Sequence, residues 1–271
     1  MATTLSDLNR AHFDRVAATY DDMDNGPMIQ IAAAGTTVMR ETYRFDPEST
    51  KVLDFACGTG VMSQQMAPFC KEIQGWDISQ KMVDVFNEKA QKSDETKDKL
   101  KASVVDLQAT GNDLDGQEFD VIICAHAYHH FEDPAQMTKK LIAHLRPGTG
   151  ALLILDRITN EEIMNLGMSN AQGTSHTGHH NHHHHHPHHE NHHPGQSHEH
   201  VIAAPGEAGK PSHDFPREAF SHHHAGFEEA DIKKLFEDAG LVDFKFIKMP
   251  GHILLGVTMD LFVAKGIRSS L

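Results

Sequence analysis

At 271 residues the chain is long enough for one large domain or two small ones, with a substantial core. Its 39% hydrophobic and 23% charged residues fit a globular protein, and its longest aliphatic run, "ALLIL" at 151–155, is far too short to cross a bilayer. A formal net charge of −14, with no cluster of lysines and arginines to offset phosphate repulsion, excludes direct nucleic-acid binding.

The opening stretch "MATTLSDLNRAHFDR" lacks the apolar centre of a secretory signal. A cytoplasmic location, extending to the nucleus, is therefore expected, with no membrane partner. Residues 1–45 are expected to form a helical cap segment ahead of the first strand. From there, "KVLDFA", "EIQGWDI", "ASVVDL", "FDVIICA" and "GALLILD" are short and rich in Val, Ile and Leu, as buried strands are. Between them, Met82, Val83, Phe86 and Ala90 share one helical face, with Ser79 placed to cap it. Leu141, Ile142 and Leu145 mark a further helix, stopped by Pro147 and Gly148. "FEEADIKKLFEDAG" from Phe227 is an amphipathic helix with Gly240 at its C-terminal cap, and "FKFIKM" and "MDLFVAKG" read as closing strands. The pattern predicts an α/β fold: a mostly parallel seven-stranded sheet with an antiparallel last strand and helices on both faces.

The span 159–226 is far longer than an ordinary connection. It opens on "NEEIMNLGM", which has helical character. Its centre holds fourteen histidines between His176 and His200 and nothing apolar to bury. A disordered insertion at about 171–212 is expected of such a composition, which is of low complexity and has no core to bury. His179, His180, His182, His183, His184, His185 and His186 would bind transition metals adventitiously, without the fixed geometry of a true site. Cys57, Cys70 and Cys124 are odd in number and widely spaced, which excludes a disulfide framework and a cysteine zinc site.

"VLDFACGTG" at 52–60 carries the strongest chemical signal. A strand reaches an acid, Asp54, then a turn with Gly58 and Gly60, then a helix from about Val61. Glycines there let a ligand approach the backbone, and the helix N-terminus offers unpaired N–H groups. A second acid, Asp77, ends the next strand 23 residues later, where a carboxylate can accept both hydroxyls of a ribose. A dinucleotide-binding oxidoreductase shares these features, but its third glycine would fall at Ser63.

With these motifs the chain resembles the class I S-adenosylmethionine-dependent methyltransferases, particularly their small-molecule branch. The first motif usually has Gly where this chain has Ala56. "GWDIS" is similar to the second motif, "VVDL" to the third, and "FDVIICAHAYHHFEDP" to the fourth strand and its loop. "LRPGTGALLILD" is similar to the fifth-strand turn, "FDRVAATYDD" to the N-terminal segment, and "HHAGFEEADIKKLFEDAGL" to the last helix and the turn before it. The resemblance implies a Rossmann-like methyltransferase domain over 46–271. It also implies S-adenosyl-L-methionine as cofactor, held by Tyr20, Asp54, Ala56, Gly58, Gly60, Asp77, Ile78, Met82, Asp106, Leu107 and Ala125. No metal would be required for catalysis.

Methyl transfer needs chiefly an aligned nucleophile and the exclusion of water. His129 and His130 are the foremost candidates for a general base, with His126, His223 and His224 behind them and Tyr128 as an orienting group. The acceptor is expected to be a small molecule, with a protein partner as the second expectation. The alternatives are a catalytically weak, methyltransferase-like regulatory subunit and a histidine-rich metal-binding protein on this fold.

Overall fold

Five aliphatic runs form the parallel part of one sheet: β1 (Lys51–Phe55), β2 (Glu72–Asp77), β3 (Leu100–Val104), β4 (Val121–Ala125) and β5 (Ala151–Arg157). The computed structural model describes residues 3–108, 116–160, 221–254 and 257–270. Two long strands, β6 (Leu241–Leu254) and β7 (Val257–Arg268), complete a seven-stranded sheet in the order β3-β2-β1-β4-β5-β7-β6. Strand β7 is antiparallel to both β5 and β6, so it alone runs against the rest, as expected.

Alternate residues of each central strand feed two separate cores. Val52, Ile123, Leu153 and Leu155 point to one face, and Leu53, Ile122, Leu152 and Ile154 to the other. The first face is covered by α2 (Pro27–Thr42), α3 (Val61–Met66) and α4 (Gln80–Gln91), through Met39, Met66 and Phe86. The second is covered by α5 (Pro134–Ala143) and α6 (Glu229–Asp238), through Leu141, Ile232 and Phe236.

Local signals set the helix ends. Thr4 and Asp7 form a reciprocal capping box on α1 (Leu5–Val16). Ser79 accepts the N–H of Met82 at the start of α4, and Asp133 accepts that of Gln136 at the start of α5. A 3-10 stretch, Ala17–Asn25, joins α1 to α2.

The histidine tract and "NEEIMNLGM" lie outside the described residues. The two ends of that interval meet on the sheet: Ile158 bridges Phe227, and Thr159 donates its N–H to the Phe227 carbonyl.

Candidate functional site

Strand order reverses between β1 and β4, and there the chain leaves both strand ends in opposite directions. A crevice opens at such a point, outside the carboxyl ends of the strands. Here it is a partly open cavity, enclosing about 860 Å³ when the solvent at its mouth is included. Its floor comes from the turns after β1, β2 and β4, and its roof from α1, which contributes Leu5, Ser6, Asn9 and Phe13.

The roof is tied down by charge. From α1, Arg10 reaches Asp106 at 2.7 Å and also donates to the Ile78 carbonyl. Asp14 accepts from Ser79 Oγ at 2.6 Å and from the Lys81 N–H, at the N-terminus of α4. In the 3-10 stretch, Asp21 accepts from Thr59 Oγ1 and pairs with Lys89. The N-terminal segment is thereby clamped to the glycine turn and to α4.

Asp77 is the best-oriented acid in the wall. Its carboxylate is buried, and its two oxygens accept the N–H groups of Gly58 at 2.9 Å and Ser79 at 2.8 Å. Burial pushes its pKa up, and these backbone hydrogen bonds oppose that. An ionised carboxylate has about four acceptor positions, so two remain for ligand hydroxyls. The residues therefore fit a ribose-bearing cofactor. Ile78, Met82 and Leu107 give an apolar slot beside Asp77, and Ala56, Gly58 and Ala125 line the side toward β1 and β4. Tyr20 is half buried at the wall; burial first, then the Asp77 and Asp21 carboxylates, push its phenol up to about 12.

Nine of the eleven residues expected at a cofactor site line this cavity: Tyr20, Ala56, Gly58, Asp77, Ile78, Met82, Asp106, Leu107 and Ala125. Asp54 and Gly60 stand outside its wall. Asp54 is sealed beneath the turn, accepting from Ser63 Oγ at 2.6 Å, and burial raises its pKa to about 7. Gly60 packs against Phe86, where a β-carbon would come within 2.5 Å of the ring. Asp106 lines the cavity but is engaged by Arg10 and Ser6, a role the sequence did not suggest.

The histidines divide. His126 and His130 line the cavity. His126 has a left-handed backbone (φ 54°), and its buried Nε2 has no hydrogen-bond partner among the described residues. Burial lowers its pKa to about 4. His129 is sealed behind His130, with ring centroids 4.2 Å apart; its Nδ1 lies 2.7 Å from the buried carboxylate of Asp156. His224 comes to the same cluster, whereas His223 stacks on Phe227 instead. Tyr128 corrects the sequence reading: it does not face the cavity. It is fully buried against Phe131 and Phe227, and its hydroxyl bonds Thr138 in α5.

Sequence reasoning missed Phe13, Phe131, Asp156 and Arg157. An acid and a base ending the otherwise apolar run "ALLILDR" were a visible signal, because charge at that end of a central strand is buried only with a partner. All three cysteines are buried, and burial raises their thiols, which suits core residues.

Residues 52–148 match the family described as "Methyltransferase domain". An uncharacterized methyltransferase of Schizosaccharomyces pombe is 41% identical over 135 residues, covering 45% of this chain and 47% of the relative. A ubiquinone biosynthesis O-methyltransferase of Actinobacillus pleuropneumoniae is 31% identical over 97 residues, covering 36% and 42%. The chain thus matches less than half the length of either relative. Among solved structures, magnesium protoporphyrin IX methyltransferase of Synechocystis, with bound S-adenosylhomocysteine, superposes with a TM-score of 0.63 at 16% identity, covering 98% of this chain and 100% of that one. Phosphoethanolamine N-methyltransferase 2 of Haemonchus contortus gives 0.63 at 11% identity, covering 99% and 61%. At these identities the structural likeness speaks to the fold.

Proposed function

We propose that this chain, a member of the class I S-adenosylmethionine-dependent methyltransferases, transfers a methyl group from that cofactor to a small organic acceptor. The observation that carries the reading is Asp77: a buried carboxylate, oriented by two backbone N–H groups, at the wall of the switch-point cavity. When bound, the cofactor supplies a methyl already activated by its sulfonium charge. The protein's own task is placement.

Asp77 holds the ribose, and Ile78, Met82 and Leu107 hold the adenine face. Tyr20 closes the methionine end beside Ala56 and Gly58. The acceptor then occupies the side bounded by Phe13, His126, His130 and Phe131, where α1 excludes water. At neutral pH burial keeps His126 uncharged, so its Nε2 can accept a hydrogen bond from an acceptor hydroxyl or amine. His129 does not reach the cavity wall; it positions His130. A small acceptor is favoured because the roof is latched by Arg10, Asp14 and Asp21. The ubiquinone biosynthesis relative, an O-methyltransferase by name, agrees with that reading.

Calorimetric titration of the full, metal-free chain with S-adenosylmethionine tests it, beside Asp77→Asn and Asp77→Ala. Loss of the acceptor oxygens should weaken binding ten- to a hundredfold, about 1.5–3 kcal/mol. Equal affinity in a folded Asp77→Ala variant, or no binding by the folded wild type, would overturn the assignment.

A further inference from the structure

The histidine cluster beside the cavity is more than the reaction requires. Transfer from a sulfonium asks for at most one base, yet His129, His130 and His224 each bring a ring nitrogen within 4.8 Å of the other two. We propose that these three histidines form a binding site for a divalent transition-metal ion of the zinc class. The inference rests on this cluster and not on the cofactor reading.

His129 carries the argument. Its side chain is buried, and Nδ1 is fixed by the Asp156 carboxylate at 2.7 Å, while the backbone N–H of His129 also donates to that carboxylate. Nε2 is buried and has no partner among the described residues. A carboxylate behind one nitrogen and an unpartnered lone pair on the other is how proteins orient an imidazole toward a metal. Asp156 is itself fully buried at the end of β5, so the ring cannot swing away.

The other two donors come from different parts of the fold. His130 follows His129 in the 3-10 turn after β4, and His224 sits in the turn before α6, where Ser221 Oγ ties that turn to the His129 carbonyl. Zinc–nitrogen bonds of about 2.0–2.1 Å place tetrahedral donors about 3.3 Å apart, so the rings need to close by roughly 1.5 Å at most. Imidazole donors select zinc, cobalt, nickel or copper over magnesium or calcium. Three protein donors leave a coordination position open, and His130 also lines the cavity, so the ion would stand beside the acceptor space.

Arg157 is the counterargument within the structure. It is buried next to Asp156, and its charge acts on all three rings. It disfavours an added cation, and the Asp156 carboxylate offsets it. It equally disfavours imidazolium, which keeps the rings in the neutral form that ligates. If His130 is committed to an ion, His126 is the imidazole left to receive the acceptor's hydrogen bond.

The full chain also holds the tract between His176 and His200, whose imidazoles would take up metal adventitiously, so the test is a difference. Chelator-stripped wild type, His129→Ala, His224→Ala and His224→Gln are loaded with Co²⁺ or Zn²⁺ and dialysed. Metal is counted by mass spectrometry, visible absorption is recorded, and folding is checked by thermal unfolding. We expect wild type to keep about one more ion per chain than the His224 variants, with the intense visible bands of tetrahedral cobalt present only in wild type. His224 is half buried in a turn, so its two substitutions carry the test even if His129→Ala unfolds. Equal metal content and identical spectra in wild type and folded His224 variants would assign the metal to the tract and overturn the site.

Discussion

Ala56 occupies a backbone position that favours glycine. Its φ of 56° places it in the left-handed region, and it lines the cavity directly after β1. An L-residue there is strained by about 1–2 kcal/mol, and part of that is returned by the smaller entropy loss of alanine on folding. Ala56→Gly should therefore stabilise the chain by about 1 kcal/mol, read as a rise in the urea midpoint at constant slope. Cofactor affinity should be kept or improved in the same variant, because the turn's conformation is already the one glycine would adopt. A loss of stability would mean that the alanine methyl packs usefully in the wall. His126 shares the left-handed conformation at the matching end of β4. The two strained residues thus face the cavity from the two strands that flank the switch point.

The turn between β1 and α3 separates two tasks that its glycines hide in the sequence. Gly58 has open space where a β-carbon would go and gives its N–H to Asp77, whereas Gly60 abuts Phe86 on α4. Gly60→Ala should cost more than about 2 kcal/mol of stability, since both backbone and packing resist it. Gly58→Ala should cost about 1 kcal/mol and act mainly on cofactor affinity. Chemical denaturation and calorimetry on the pair would separate these effects; equal stability losses would refute the division. The strands and helices around this turn were legible because each short aliphatic run is bounded by a polar cap or turn residue, as at Ser79 and Gly240. Strand β6 was legible only in part. Register shifts between Val242 and Lys245 and between Met249 and His252 break its alternation, so it reads as "FKFIKM" although it spans Leu241–Leu254. In the site, Asp77 and Gly58 were legible because motif and ligand chemistry are local, whereas Asp54 and Gly60 of the same pattern lie outside the wall. The roof from α1, and the meeting of His129, Asp156 and His224, were not: these contacts are long-range, and no local pattern encodes them.

For the molecule as a whole, buried titratable groups pull the pH dependence of stability in opposite directions. His12 and His126 are both lowered by burial to about 4. An unfolded histidine titrates near 6.5, so between about pH 6.5 and 4 the unfolded chain takes up protons that the folded chain refuses. The stability from these groups is complete above about pH 6.5 and is lost as pH falls through 4. Asp54 has the reverse sign, because burial raises it to about 7. Between its ordinary value near 4 and pH 7 the unfolded chain has released a proton that the fold retains, so this contribution falls as pH rises. His224 is likewise lowered to about 4, and His129 and His130 are held lower still. The histidines thus outnumber the two acids that burial raises, Asp54 and Asp77, and acidification brings a net loss of stability. Asp54→Asn removes the opposing contribution while keeping an acceptor for Ser63. Relative to wild type it should be unchanged near pH 4 and more stable near pH 8, by on the order of 3 kcal/mol, with a steeper acid limb. Urea titrations at pH 5, 6.5 and 8 would show this as a variant-minus-wild-type difference that grows with pH. A difference that stays constant across that range would mean Asp54 is ionised in the fold, and that the charge beneath the glycine turn is carried by hydrogen bonds rather than avoided by protonation.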